Sequence, residues 1–284
     1  MIRPAIKISG LSKCFSGKTV LTNIDFTVKT GSVMGILGRN GSGKTTLIKI
    51  IMGLLEKDCG EVTVLGLTPV QDHVELMNRI GYVSESRDLY DWMTVGEIVS
   101  FCGNIYRCWD NTLAEEQRKR FGLPERTLVS ELSFGQRTML CLLLAVCHMP
   151  EVLILDDPSA GLDIPSRSEI LSSIIRQAAE TGTTVLFSSH IIGEVERVCD
   201  HVAILTDCTF SESDSLENLL EKFITMRIGH VEGLLPQELH LIGNCGSDKL
   251  CVVAKDQENQ IEIRGRIIER RSSSLEEIYL ARLG

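Results

Sequence analysis

The stretch from Val33 to Leu47, VMGILGRNGSGKTTL, limits what this chain can fold into more than any other. It reads as an apolar strand, a glycine-rich turn, and a helix opened by a lysine and two threonines. Gly38, Gly43, Lys44 and Thr45 satisfy the G-x-x-x-x-G-K-[ST] spacing of a phosphate-binding P-loop. With Gly38, Gly41 and Gly43 at positive φ, the backbone N–H groups of the loop converge on phosphates at the positive end of the following helix. The expected phosphate-binding set is therefore Gly38, Arg39, Asn40, Gly41, Ser42, Gly43, Lys44, Thr45 and Thr46. Lys44 reaches the β- and γ-phosphates, and Thr45 offers its hydroxyl to Mg²⁺. The plain alternative is a glycine-rich surface turn.

Composition fits a folded enzyme. The 284 residues suffice for one or two domains with a sizeable core, and 43% hydrophobic residues exclude general disorder. A net charge of −9 argues against a nucleic-acid partner, and the densest basic run, Arg118 to Arg120, lies beside Glu115 and Glu116 as a solvated helix face. Ten cysteines occur without CxxC pairs; Cys141 and Cys147 lie in apolar runs, as buried free thiols do in a reducing cytoplasm. The segment MIRPAIKISG lacks the apolar core of a secretory signal, and the run Met139 to Cys147 is too short to span a bilayer. A membrane role is expected to go through a partner.

Ile6 to Ile8 and Val20 to Val28 alternate as strands around a turn at Ser16 to Lys18, making a small antiparallel sheet. Phe15, between them, is either core or an aromatic that stacks on adenine. Gly60 to Leu65, Arg79 to Val83, Val152 to Leu155, Thr184 to Phe187 and Val202 to Leu205 read as further strands. With helices between them, they predict an α/β core: a mainly parallel sheet covered on both faces. From Arg87 to about Val129 the texture becomes helical, and Tyr90, Trp92, Phe101, Tyr106 and Trp109 hold five of the fourteen aromatic residues. They are expected to form the core of a helical insertion, with a partner-binding groove as the alternative. Asp156 and Asp157 end a buried strand, where an acidic pair is costly unless it holds a cation. Downstream, Leu216 to Phe223 reads as helix, 262 to 268 as a strand, and Ser274 with Glu277 as the capping box of a last helix.

Several ordered motifs over roughly residues 1 to 210 resemble the nucleotide-binding subunit of an ATP-binding cassette (ABC) transporter. GRNGSGKTT at 38 to 46 resembles that family's P-loop, and LSFGQ at 132 to 136 its LSGGQ signature. LILDDP at 153 to 158 resembles its Mg²⁺-binding strand, SAGLD at 159 to 163 its D-loop, and SSH at 188 to 190 its switch histidine. The resemblance implies a P-loop NTPase domain over 1–210, with a helical insertion at about 86–149, and a small α+β extension over 211–284. It implies ATP and Mg²⁺ as cofactors, and a second ATPase subunit, identical or not, joined head to tail. Leu132, Ser133, Phe134, Gly135 and Gln136 would then face the partner's ATP, and Asp163 the seam. Phe15 matches the adenine-stacking aromatic, Asp156 would hold Mg²⁺, Asp157 would polarise the attacking water, and His190 would contact the γ-phosphate.

The chain departs from the family pattern where hydrolysis is done. Glu85 stands in place of the usual glutamine that reaches Mg²⁺ and water, Asp157 in place of the catalytic glutamate, and Phe134 where glycine is commoner. The expectation is ATP binding with slow turnover at this P-loop. The favoured role is an ATPase subunit, on the inner face of the cell membrane, that drives a separate membrane-spanning subunit of an exporter through a groove near residues 85 to 110. The alternatives are an ATP-gated regulatory subunit and a soluble ATPase of ribosomes or DNA; the latter is disfavoured because about ninety residues separate the P-loop from LSFGQ, leaving no long coiled-coil insertion.

Overall fold

The computed structural model describes residues 3–229, 235–236, 238–245, 248–258 and 266–283. The chain opens with β1 (Pro4–Phe15), β2 (Lys18–Lys29), β3 (Val33–Leu37), α1 (Lys44–Ile51) and β4 (Cys59–Val64). Next come α2 (His73–Met77), β5 (Ile80–Val83), α3 (Val95–Ile105), α4 (Asn111–Arg120) and α5 (Phe134–Val146). They are followed by β6 (Val152–Asp156), α6 (Ile164–Thr181), β7 (Thr184–Ser189), α7 (Ile192–Val198) and β8 (His201–Thr206). The remainder comprises β9 (Thr209–Ser215), α8 (Leu216–Lys222), β10 (Phe223–Gly229), β11 (His240–Cys245), β12 (Asp248–Ala254), β13 (Arg266–Ser272) and α9 (Leu275–Ala281).

The central sheet has the order β5-β6-β7-β3-β8-β9; all neighbours are parallel except β9, which is antiparallel to β8. Its inner strands β3, β6 and β7 are buried at every position because both faces are covered, and they are apolar except at Asp156, Thr184, Ser188 and Ser189. Leu153, Leu155, Val185, Phe187, Val202 and Ile204 join α5, α6 and α7 in one core. Their alternates Val152, Ile154, Leu186, Ala203 and Leu205 join α1 and the sheet β2-β1-β4 in another. β4 pairs with β1 rather than entering the parallel sheet, so GEVTVL completes the antiparallel sheet that the first two strands begin.

Three of the five clustered aromatics are not core: Tyr90, Trp92 and Phe101 are exposed, Trp92 at 70%. The interior between α3, α4 and α5 is instead filled by Val95, Ile98, Ala114, Phe121, Leu123 and Val129. Tyr106 and Trp109 are part-buried, with Tyr106 stacked on the buried His148 at 4.1 Å. The basic run on α4 is only partly solvated: the Arg118 guanidinium donates to the Leu123 carbonyl and to Glu115. Cys141 and Cys147 are buried free thiols, and desolvation raises the pKa of each to about 12.

The C-terminal region adds an antiparallel sheet of order β11-β12-β10-β13. α8 and the capping box before α9 stand where the sequence puts them. Of the strand expected over 262–268, residues 266–268 fall in β13, and 262–265 lie outside the described residues.

Gly81 on β5 lies against α5 so closely that a Cβ would stand 2.1 Å from the Ala145 carbonyl oxygen. Gly81→Ala should therefore destabilise the chain by about 1–3 kcal/mol, as overpacking does. Urea unfolding checks this, with Gly193→Ala as the reference: Gly193 has no atom within 4 Å of its would-be Cβ, so stability should hold or rise.

Candidate active site

In the order β5-β6-β7-β3 the strands run parallel, so their C-terminal ends open on one edge, where α/β proteins bind ligands. From β3 comes the glycine-rich loop, from β6 Asp156 and Asp157, from β7 Ser188, Ser189 and His190, and from β5 Glu85. A cavity of about 330 Å³ at this edge is lined by Phe15, Val20, Asn40, Gly41, Gly43, Lys44, Thr45, Thr46, Glu85, Asp156 and Asp157. Ten of these eleven are residues that the sequence singles out; Val20 reads as an ordinary strand residue and carries no signal of its own.

The glycines of the loop differ in what they do. Gly41 and Gly43 take φ of 80° and 107°, the left-handed region, as expected. Gly38 does not; it is needed because a Cβ there would lie 2.6 Å from Ser42 Oγ and 2.8 Å from the Leu205 carbonyl. Lys44 is buried, and its ammonium donates to the carbonyls of Gly38 at 2.7 Å and Arg39 at 3.1 Å, so the loop curls around its own lysine. Desolvation lowers the Lys44 pKa, opposed by the charges of Asp157, Asp156 and Glu85.

Ser188 organises the acidic pair: its hydroxyl donates to Asp156 Oδ1 at 2.8 Å and accepts the Asp157 N–H at 3.0 Å. Asp157 is buried, at φ 45°, which excludes a solvated turn. Its Oδ2 lies 2.7 Å from His190 Nδ1. The other carboxylate oxygens, Asp156 Oδ2 and Asp157 Oδ1, are buried without a hydrogen-bond partner, as is Ser42 Oγ. Orphaned acceptors beside a buried lysine are costly alone and suit a ligand that brings cationic or donor groups. The residues present therefore fit a Mg²⁺-bound nucleotide: Thr45 and Asp156 as oxygen ligands, and the loop amides and Lys44 on the phosphates.

Phe15 is 43% exposed at the cavity mouth, with the Lys13 ammonium 5.2 Å from its ring, so it is not core. Leu132 to Gln136 do not line this cavity. Ser133 caps α5 in a capping box with Gln136, and its hydroxyl accepts the Gln136 N–H while its own proton remains free to donate. Asp163 caps α6 by accepting the Ser166 N–H, and hydrogen bonding from the Ser166 hydroxyl and then its N–H lowers the Asp163 pKa. Both caps sit at exposed helix N-termini facing solvent. Sequence reasoning misses Glu194, a buried carboxylate accepting from Ser159 at 2.7 Å and Ser189 at 2.8 Å, which ties the turn after Asp157 to the strand end before His190. On α7 it reads as an ordinary helical glutamate.

The family description "ABC transporter" matches residues 21–160. The bacitracin transport ATP-binding protein BcrA of Bacillus licheniformis is 32% identical over 219 residues, covering 76% of this chain and 72% of that protein. The Nod factor export ATP-binding protein I of Rhizobium sp. (strain N33) is 29% identical over 301 residues, covering 100% and 98%. A dimeric post-hydrolysis state of an ATP-binding cassette bound to ADP and Pi superposes with a TM-score of 0.67 at 25% identity, over 74% of this chain and 98% of that one.

Lys44→Ala removes the one ammonium at the centre of the cavity. MgATP should bind more than tenfold more weakly, since hydrogen bonds to charged groups contribute about 1.5–3 kcal/mol. Isothermal titration reads this directly, and an unchanged affinity would rule out the loop as the phosphate site.

Proposed function

The chain belongs to the family of ABC transporter ATP-binding subunits, an ATPase family, and on that premise we propose that it powers an exporter through a separate membrane-spanning subunit. The observation that carries this reading is the sheet edge where the P-loop, Asp156, Asp157 and His190 converge with unpartnered acceptor oxygens. No helix of the described residues is long and apolar enough to cross a membrane, so the pathway belongs to the partner. Relatives named for export of Nod factor and transport of bacitracin support export as the direction. Residues 1–210 serve as the cassette and 211–284 as an accessory extension. The exposed Tyr90, Trp92 and Phe101, in mutual contact at 5.9 and 6.1 Å and close in sequence to Glu85, are the docking surface for that partner at the cytoplasmic face.

Two cassettes close head to tail, Ser133 and the amides at the N-terminus of α5 completing the partner's γ-phosphate site. With MgATP bound, Phe15 would stack on adenine, Asp157 would polarise the attacking water, His190 would contact the γ-phosphate and help order that water, and Glu85 would stand in place of the glutamine that reaches Mg²⁺. Mg²⁺ is characteristically held by one or two protein oxygens together with phosphate oxygens, which suits Thr45 and Asp156. Asp157 is one methylene shorter than glutamate, and one of its oxygens is already engaged by His190. A catalytic group displaced by about 1 Å costs on the order of 100-fold in rate, so this site turns over slowly. In a heterodimer only the site built on this P-loop is slow, and LSFGQ completes the other.

The chain should sediment as a monomer with ADP and shift toward dimer with MgATP; identical profiles would exclude a homodimer driven by ATP. Asp157→Glu should raise steady-state phosphate release by at least tenfold with little change in MgATP affinity, and Glu85→Gln should add to it. A wild type already as fast as an ordinary cassette, or an Asp157→Glu variant no faster, removes the slow-site reading.

A further inference from the structure

Arg87 is the largest fully buried side chain among the described residues, 2% exposed, and it lies two residues beyond Glu85. Its guanidinium donates from Nη1 to the Glu85 carbonyl at 2.7 Å. From Nη2 it reaches the carbonyls of Asp157 at 3.2 Å, Pro158 at 2.9 Å and Ala160 at 3.1 Å. The face of the guanidinium is covered by the Phe134 ring, 4.4 Å from Cζ to the centroid. That ring also rests on the turn after Asp157, since a Cβ on Gly161 would come within 2.9 Å of it. Among the described residues no carboxylate forms an ion pair with Arg87. Its charge is met by carbonyl dipoles and an aromatic face. The backbone at Arg87 takes φ 52°, held by its N–H on Ser84 Oγ and by Arg137 donating to its carbonyl.

A single planar cation thus joins three segments that chemistry must bring into register: the Glu85 loop, the Asp157–Ala160 turn, and the first residue of α5 in the signature. We infer that Arg87 is a positioning residue for hydrolysis, with Phe134 as its lid: together they fix the backbone that aims Asp157, and they transmit closure at LSFGQ to Asp157 within the same chain. This explains an aromatic where the family more often has glycine, because glycine offers the guanidinium no face. Lysine cannot substitute for Arg87, since one ammonium does not span carbonyls in a planar fork. The inference rests on the proposed role of Asp157 toward water.

The test uses the full chain with Phe134→Leu, Phe134→Tyr, Arg87→Lys and the double variant Phe134→Leu/Arg87→Lys. Hydrogen exchange of the 157–162 peptide is measured without nucleotide, and kcat and MgATP affinity with it. Phe134→Leu, at an exposed side chain that leaves the fold intact, should speed exchange of that peptide and lower kcat about tenfold, with MgATP affinity within about twofold of wild type. Arg87→Lys should move exchange and kcat the same way, Phe134→Tyr, which keeps the aromatic face, should hold exchange of that peptide at the wild-type rate, and the double variant should be no slower than Arg87→Lys alone. Wild-type exchange and kcat in Phe134→Leu would overturn the inference, as would singles that multiply in the double variant or a matching loss of MgATP affinity. Faster exchange in a chain whose wild type shows no Lys44-dependent hydrolysis would support the linkage and instead refute the role given to Asp157.

Discussion

Everything at the functional edge depends on tolerating three buried charged groups side by side: Lys44, Asp156 and Asp157. Taking such groups out of water is expensive, and the fold answers with polar partners rather than with a tight ion pair. Lys44 is solvated by two carbonyls of its own loop, Asp156 by the Ser188 hydroxyl, and Asp157 by His190 and its own N–H on Ser188. Each carboxylate still keeps one buried oxygen without a partner. The site is therefore organised yet incomplete, and the free energy withheld by those unmet acceptors is available to a ligand that carries a divalent cation. Parallel strand order is what makes this possible, because it delivers the ends of β3, β6 and β7, distant from one another in sequence, to one edge.

The same edge explains why the departures from the family pattern are compatible with a stable fold. Glu85 contributes its backbone carbonyl to Arg87, and its side chain is exposed, so its identity is free of packing constraints. Asp157 is held by its backbone as much as by its carboxylate: the N–H is on Ser188, and the carbonyl accepts from both Arg87 and Ala160. Phe134 occupies open surface at the start of α5 and covers a cation from below. Glu85 and Phe134 are exposed and Asp157 is anchored through its backbone, so all three are compatible with the fold.

How far the residues alone reach follows from the physics of each signal. The P-loop, the buried parallel strands, the acidic pair and the capping box of α9 are legible because spacing or a continuous apolar run dictates them locally. β9 is not legible: TFSESDS is polar, and as an antiparallel edge strand it buries only Glu212. β10 escapes because it pairs only with the distant β12 and β13, and β11 because HLIGNC lacks clean alternation although it forms a hairpin with β12. The aromatic cluster misleads for a different reason. Composition counts Tyr90, Trp92 and Phe101 as core material, but they fall on the outer side of a helical unit already filled by smaller aliphatics. Arg87 and Glu194 are invisible from sequence because their significance lies in contacts across about seventy and thirty-five residues.

The C-terminal region is bound into this arrangement rather than hung from it. Leu275, Ile278 and Tyr279 of α9 are buried in the same core as Val195 and Val198 of α7. α9 is in turn fixed to β10 through Glu277, which accepts from Thr225 and Arg271. α7 also carries Glu194, the carboxylate that accepts from Ser159 and Ser189. A displacement of α9 bears on the helix that holds the turn after Asp157 to the strand end before His190. Close-packed interiors transmit strain in this way. The extension and the sheet edge that carries Asp157 and His190 are therefore joined through the packing of α7.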